Sequence, residues 1–205
     1  MRTLMGRANS SNVMKAVWLM EELGVPYART DVGGPFGGTG TPEYRALNPN
    51  GVIPTLVEDG FVLWESNAIL RYICASQAPG HAIWPDDLHV RAGIDRWMDW
   101  QQTTLGPPQS AVFQALVRTP PDQRDPAALD AAMKNTARVW TLLDGAMGAH
   151  VAGPGFTLAD IALGVHVHRW FSFDITRPAQ PNLRAWYDRL LARPAYARHV
   201  AMPMT

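Results

Sequence analysis

Between residues 48 and 74 the spacing of apolar positions changes from alternation to helical period. Thr55-Leu56-Val57 and Phe61-Val62-Leu63-Trp64 are short apolar runs around Glu58-Asp59-Gly60, the pattern of a β-hairpin closed by a tight turn. From Ser66 onward Ile69, Leu70, Ile73 and Cys74 recur at helical spacing, with Ser66 in the N-cap place. Upstream, residues 2–6 read as a first strand. Val13, Ala16, Val17, Met20 and Leu23 then mark one face of a helix that opens at Ser11/Asn12 and stops at Gly24 and Pro26. Residues 27–32 suit a second strand, so the segment is a βαβ unit whose parallel strands need a covering crossover. After a turn-rich GGPFGGTG at 33–40, Thr41 or Pro42 opens a short helical piece. The order β-α-β, short helix, β-β-α predicts a compact mixed sheet with helices on its faces.

Past residue 78 the strand pattern ends. Residues 79–87 carry Pro79-Gly80 and Pro85-Asp86-Asp87 and read as a linker. Val90, Ile94, Trp97, Gln101 and Leu105 trace a helical stripe with Trp100 off it, and Gly106-Pro107-Pro108 is expected to stop or kink that helix. Leu129, Met133, Thr136, Trp140, Leu143 and Met147 give one buried face of a long helix, and Leu183, Trp186, Tyr187 and Leu190 another. Phe156-Thr157-Leu158-Ala159-Asp160-Ile161 has the form of a capping box: Thr157 at the N-cap, Asp160 at N3, Phe156 and Ile161 as a hydrophobic staple. It predicts a central helix over about 158–170. The expected organisation is an α/β domain at 1–78, a linker at 79–87 and an all-α domain at 88–205.

Composition narrows the function. The 18 basic and 18 acidic residues balance, as do the two halves, with 6 basic against 7 acidic residues before position 80. No lobe carries the positive field that nucleic acid or an anionic membrane surface would require. One cysteine excludes an internal disulfide or a Cys-rich zinc site. No apolar run of 18 residues could cross a bilayer, and the N-terminus has no signal-like apolar core, so a cytoplasmic protein is expected. The six histidines form no spaced metal cluster, and His166 and His168 stand two apart on a helix, facing different ways. There is no CxxC, P-loop or GxGxxG, and Cys74 falls on the apolar face of its helix.

Three places suit ligand handling as well as scaffold. A serine at the first helix mouth, Ser11 or its neighbour Ser10, adds a hydroxyl to the free amides of a helix start, a setting that stabilises a thiolate. With no histidine nearby in sequence, that hydroxyl suits a hydrogen-bond donor better than a nucleophile. Pro54 at a strand entrance would offer the backbone of Ile53 to a peptide-like ligand. Glu65-Ser66 matches the two ends of an α-amino acid, Glu65 accepting from an ammonium and Ser66 with the helix amides meeting a carboxylate. Each also has a plain structural reading, as a cap or a loop former.

Taken together in order, these segments resemble the soluble glutathione S-transferase family, bacterial theta-like members with a serine near the N-terminus above all. The resemblance rests on Ser10-Ser11-Asn12-Val13, Phe36-Gly37-Gly38, the run Asn48-Pro49-Asn50-Gly51-Val52-Ile53-Pro54, Glu65-Ser66-Asn67-Ala68-Ile69, Phe156-Thr157-Leu158-Ala159-Asp160 and Arg193-Pro194-Ala195-Tyr196. It implies a thioredoxin-like N-terminal domain, a helical-bundle C-terminal domain, a homodimer, and glutathione as co-substrate without a metal. Pro54 would be a cis-proline, Ile53 would hold the cysteinyl backbone of glutathione, and Glu65 and Ser66 its γ-glutamyl end. Ser11, with Ser10 as competitor, would activate the thiol for attack on a hydrophobic electrophile. The second pocket would draw on Arg7, Asn9, Trp97, Gln101, Leu105 and the Met202/Met204 tail. Many relatives carry Lys or Arg where this chain has Val52, so the glycyl carboxylate would be met by Arg7, Arg45 or the 33–40 loop. Reduction of peroxides or disulfides with glutathione, and binding without catalysis, are the competing functions.

Overall fold

The computed structural model describes residues 1–204. Strand β1 (Arg2–Met5), helix α1 (Ser11–Leu23) and strand β2 (Ala28–Thr30) form the expected crossover, with β1 and β2 parallel. A short helix α2 (Pro42–Leu47), capped by the Thr41 hydroxyl, leads to the hairpin β3 (Thr55–Glu58) and β4 (Phe61–Trp64). The sheet order is β2-β1-β3-β4; β3 runs antiparallel to both neighbours and pairs Leu56 with Leu4 of β1. Helix α3 (Ser66–Gln77) follows. The second strand is three residues long rather than the six of residues 27–32, and the left-handed Gly33 turns the chain just beyond.

The rest is helical: α4 (Leu88–Trp100), α5 (Gly106–Phe113), α6 (Pro126–Ala146), α7 (Leu158–Ser172), α8 (Pro181–Leu191) and α9 (Pro194–His199). Gly106-Pro107-Pro108 does not stop the first of these. The chain passes from α4 to α5 through a π turn at Gln101–Leu105, in which the Gly106 amide reaches the Gln101 carbonyl, and leaves α5 by a second π turn at Gln114–Arg118. The wider i→i+5 turn carries two prolines that cannot donate to an i−4 carbonyl, so the helical path runs unbroken from 88 to 118.

Helix α1 shows why one apolar stripe understates it. Val13, Ala16, Val17 and Met20 are buried as predicted, but so are Met14, Lys15, Trp18 and Leu19, because α1 packs on α3 on one side and on α7 and α9 on the other. A helix buried on nearly every side is a central element. Trp18 is fully buried against Phe156 (5.6 Å between centroids) and Tyr196 (4.7 Å), and Phe156 thus packs across to α1. Trp18 lies against Gly164 of α7, where an added β-carbon would stand 2.6 Å from Trp18 Cζ3 and 2.8 Å from Cη2. With no space for the indole to retreat, Gly164→Ala is expected to cost about 1–3 kcal/mol. A urea midpoint equal to that of the parent would refute the close approach.

Candidate active site

Both predicted serine caps sit one residue deeper than expected. The N-cap of α1 is Ser10, whose side chain makes no cap bond, and Ser11 is the first helical residue. The N-cap of α3 is Glu65, and Ser66 is its first helical residue. Glu65 has φ +72°, a left-handed conformation that turns β4 into α3 within one residue and leaves Ser66 no place outside the helix. The shift has a chemical consequence. Neither Ser10 nor Ser11 uses its hydroxyl on the protein among the described residues, and the first amides of α1 lack a side-chain cap.

The two helix mouths face one another. The Ser66 hydroxyl, on a buried residue, donates to Asn12 Oδ1 at 3.3 Å, linking α3 to the first turn of α1. The Ile53-Pro54 peptide bond is cis. The Ile53 side chain is seated between Gly6 and Gly33, where added β-carbons would lie 3.3 Å and 3.2 Å from it. The preceding loop is tied down: Tyr44 Oη and Asn48 Nδ2 both donate to the Val52 carbonyl, at 2.7 and 2.8 Å. The Val52 side chain itself is exposed. Of the cations expected to compensate for it, Arg45 lies against Gly51 and donates to the Pro49 carbonyl, whereas Arg7 lies over Gly34. Ser66, next to Glu65, is therefore in contact with Asn12, next to Ser11.

The predicted second pocket divides. Asn9 and Met14 line a narrow cavity of about 10 Å³ with Phe113, Val165, His168, Arg169, Met202, Pro203 and Met204. That cavity shares Asn9, Met202 and Pro203 with an open groove of about 530 Å³ bordered by Arg29, Asp31, Pro35 and Phe36. Arg7 Nη1 donates to Asn9 Oδ1 at 2.6 Å. Trp97, Gln101 and Leu105 are not brought there. Trp97 stacks edge-on with Trp100 and lines a separate depression with residues 146–153. Leu105 is fully buried core, and Gln101 is spent in a polar chain inside the molecule, because α7 covers this stripe of α4.

That chain begins at Lys15, one turn along α1 from Ser11 and almost wholly buried. Lys15 Nζ donates to Gln101 Oε1 at 2.8 Å and reaches Asn67 Oδ1 at 3.5 Å. Gln101 Nε2 then donates to His166 Nε2 at 3.0 Å, which fixes that ring nitrogen as the acceptor. Gln109 Nε2 bonds the His166 carbonyl, and Trp140 Nε1 bonds Gln109. Burial brings the Lys15 ammonium down to about 7, with Glu65 opposing the shift and Arg169 adding to it. Burial first, then Lys15 and Arg169, holds His166 neutral, well below the usual histidine range.

An unfolded lysine titrates near 10.4, so between about pH 7 and 10.4 the unfolded chain holds a proton that the folded chain has released. Stability is expected to rise with pH across that window. Below it the folded state must carry the buried ammonium and the penalty is full. Comparing urea midpoints at pH 7 and pH 9 should show the rise in the parent and a flatter dependence in Lys15→Met. An equal rise in both would remove Lys15 as the source.

His168 is set differently. Its Nε2 meets the Met202 carbonyl at 2.8 Å and must be the donor, so Nδ1 accepts from Tyr187 Oη at 2.9 Å. Burial lowers its pKa, opposed by the Met202 bond, and this neutral tautomer pins the 202–204 segment over the cavity. Cys74 is fully buried and its thiol is pushed up to about 12 by burial, consistent with a core residue. Sequence patterns do not single out Lys15, Phe113, His168 or Arg169. Lys15 alone leaves a trace there, as a charge inside the apolar run Val13-Met14-Lys15-Ala16-Val17.

Comparison with known proteins agrees with this geometry. The glutathione S-transferase N-terminal domain profile matches residues 9–76, and the C-terminal domain profile matches residues 126–189. Glutathione S-transferase GstB of Escherichia coli (strain K12) is 39% identical over 209 residues, spanning 100% of both chains. Glutathione S-transferase 3 of Zea mays is 32% identical across 97% of this chain and 92% of its own. Among solved structures, the theta class glutathione S-transferase from Xanthomonas axonopodis pv. citri with glutathione bound superposes with a TM-score of 0.94. It is 47% identical and covers 100% of this chain and 99% of that one. The chain belongs to the glutathione S-transferase family.

Proposed function

We propose that this protein is a glutathione S-transferase that joins the glutathione thiolate to a hydrophobic electrophile. The observation that carries the reading is the pair of open helix mouths. Ser11 and the uncapped amides of α1 stand beside Ser66 and the left-handed Glu65 at the start of α3. In this reading Glu65 takes the γ-glutamyl ammonium, and Ser66 with the α3 amides takes its carboxylate. Ile53 presents its backbone beside cis-Pro54 to the cysteinyl unit. The thiol then lies at the α1 mouth, where the Ser11 hydroxyl and backbone dipoles favour the thiolate over the thiol. Sulfur attacks the electrophilic carbon as the leaving group departs with its electron pair. Holding both reactants in one cleft supplies the advantage of proximity.

The boundaries 1–78, 79–87 and 88–205 belong to the same proposal, as do a cytoplasmic, detoxifying role and a homodimer. Exposed Val52, Phe61 and Trp64, with Leu88 and Val90 on α4, supply apolar surface for a second copy. No helix among the described residues is long and apolar enough to cross a membrane. No three metal-binding side chains cluster among them. The test is conjugation of an aryl halide by the purified protein, with saturation in glutathione. Turnover confined to peroxides or mixed disulfides would replace conjugation with the reductase reading, and glutathione binding without any turnover would leave a binding protein.

A further inference from the structure

Two spaces of very different size meet along residues 202 and 203. Asn9, Met202 and Pro203 line both of them. On one side lies the open groove of about 530 Å³, which Ala8, Pro35 and Phe36 also border. On the other, Met14, Phe113 and Val165 close on the same segment and leave about 10 Å³, room for no more than a water molecule. Ser10 and Ser11 follow Asn9 directly in the chain, so the groove starts at the loop that enters α1. Met202 and Pro203 are the wall between the open space and the closed one.

That wall belongs to no helix or strand, and few bonds hold it. The Ala201 amide bonds the Tyr196 carbonyl at 3.0 Å and the Met202 amide bonds the Val200 carbonyl at 2.8 Å, which ties the segment only to the end of α9. Among the described residues, one hydrogen bond carries residues 202–204 across to another element: His168 Nε2 of α7 donates to the Met202 carbonyl at 2.8 Å. Pro203 has no amide hydrogen to add. His168 is itself held from behind. The Tyr187 hydroxyl of α8 donates to Nδ1 at 2.9 Å, and the Tyr187 ring is stacked on Phe171 with centroids 5.1 Å apart. The Met202 carbonyl needs a hydrogen on Nε2 and the Tyr187 hydroxyl needs a bare Nδ1, so one neutral tautomer satisfies both. A segment with so few ties shifts when one of them is removed.

We propose that His168 is a positioning residue that sets the size of electrophile the site accepts. By holding the Met202 carbonyl it keeps Met202 and Pro203 as a fixed wall, and it confines the site to electrophiles about one ring wide that lie in the open groove. A broad fused ring system needs the space that the wall closes off in front of Met14, Phe113 and Val165. This rests on the transferase reading and names the substrate class of the same site. His168 acts through Met202, not on the reacting atoms, and the reaction stays a simple displacement. The thiol proton leaves to solvent, a sulfur–carbon bond forms, and a carbon–halogen bond breaks with halide taking the electron pair.

The experiment compares two benzylic chlorides, 4-nitrobenzyl chloride and 9-(chloromethyl)anthracene, at saturating glutathione and with uncatalysed rates subtracted. His168→Leu removes the donor and should move the narrow-to-wide ratio of kcat/KM about tenfold toward the anthracene, with the KM for glutathione unchanged. His168→Gln, which keeps an N–H in the place of Nε2, should retain the parent ratio. Tyr187→Phe takes away the bond that orients the ring and should move the ratio the same way by a smaller factor. It reads the inference where His168→Leu does not fold. The S-(4-nitrobenzyl) and S-(9-anthracenylmethyl) conjugates of glutathione, titrated calorimetrically, give the same comparison as Kd values. Failure of turnover and failure of this inference are thereby told apart. The parent should hold the nitrobenzyl conjugate more tightly, and His168→Leu should shrink that margin. Equal Kd values in the parent overturn the size limit while leaving conjugation intact. An unchanged ratio and margin in both His168→Leu and Tyr187→Phe overturn the role of His168. Loss of both chlorides in equal proportion, with a raised KM for glutathione, makes His168 a residue of the fold alone and overturns it too.

Discussion

Asp160→Ala is expected to destabilise the protein by roughly 3 kcal/mol or more, a larger loss than the crowding of Trp18 by Gly164→Ala. The carboxylate is fully buried and accepts from five donors. One oxygen takes the Trp186 indole N–H at 2.8 Å, the His150 ring at 3.1 Å and the Val151 amide at 3.2 Å. The other takes the Thr157 amide at 2.8 Å and the Thr157 hydroxyl at 3.3 Å. Removing it strands the indole and two amides where water cannot reach, and each orphaned donor costs about 1–3 kcal/mol. Asp160→Asn keeps an acceptor for one set of donors but turns an NH₂ toward the other, so an intermediate loss is expected. Urea titration of both variants measures this directly. An alanine variant within about 1 kcal/mol of the parent would show that the network contributes little.

Ser11→Ala is expected to cut kcat/KM for conjugation at pH 7 by about 10²-fold, with the fold retained. The hydroxyl has no hydrogen bond within the protein among the described residues, so its loss should leave no structural debt. The pH profile separates mechanism from general damage. A free thiol titrates near 8.5, and each unit of depression represents about 1.36 kcal/mol of preference for the thiolate. The parent should show its inflection below 8.5 and Ser11→Ala should move it upward toward that value. Ser10→Ala is the control, since the Ser10 side chain makes no cap bond. If Ser10→Ala loses the activity and Ser11→Ala keeps it, the thiolate contact belongs to Ser10.

Local signals and three-dimensional ones separate clearly in this chain. The hairpin at Thr55–Trp64 and the helix after Glu65 are legible because strand and helix periods meet within a dozen residues. The Thr157/Asp160 motif is legible as a helix start, but not as the anchor for Trp186 and Val151. Those donors arrive from 26 and 9 residues away in sequence. Gly106-Pro107-Pro108 misleads because proline rules assume an α-helical ladder, and the wider turn escapes them. The order of motifs points to Ser10, Ser11 and Ser66, with their cap positions one residue off. Gln101 and Leu105 mislead because a helical stripe does not reveal whether its face meets a cleft or another helix. The arginines at 118 and 169 share no spacing at all, and only the fold brings them to Phe113.

The path from Lys15 through Gln101 to His166 bears on how the molecule comes apart. Its donors and acceptors are divided between α1 and α3 on one side and α4 and α7 on the other. Trp18 on Gly164 and the Arg193–Glu22 ion pair cross the same seam. Residues 1–78 by themselves would leave Trp18 without Gly164 of α7 and Lys15 without Gln101. The two halves that differ so plainly in sequence therefore melt as one cooperative unit, and a truncated N-terminal piece should not hold a stable native state.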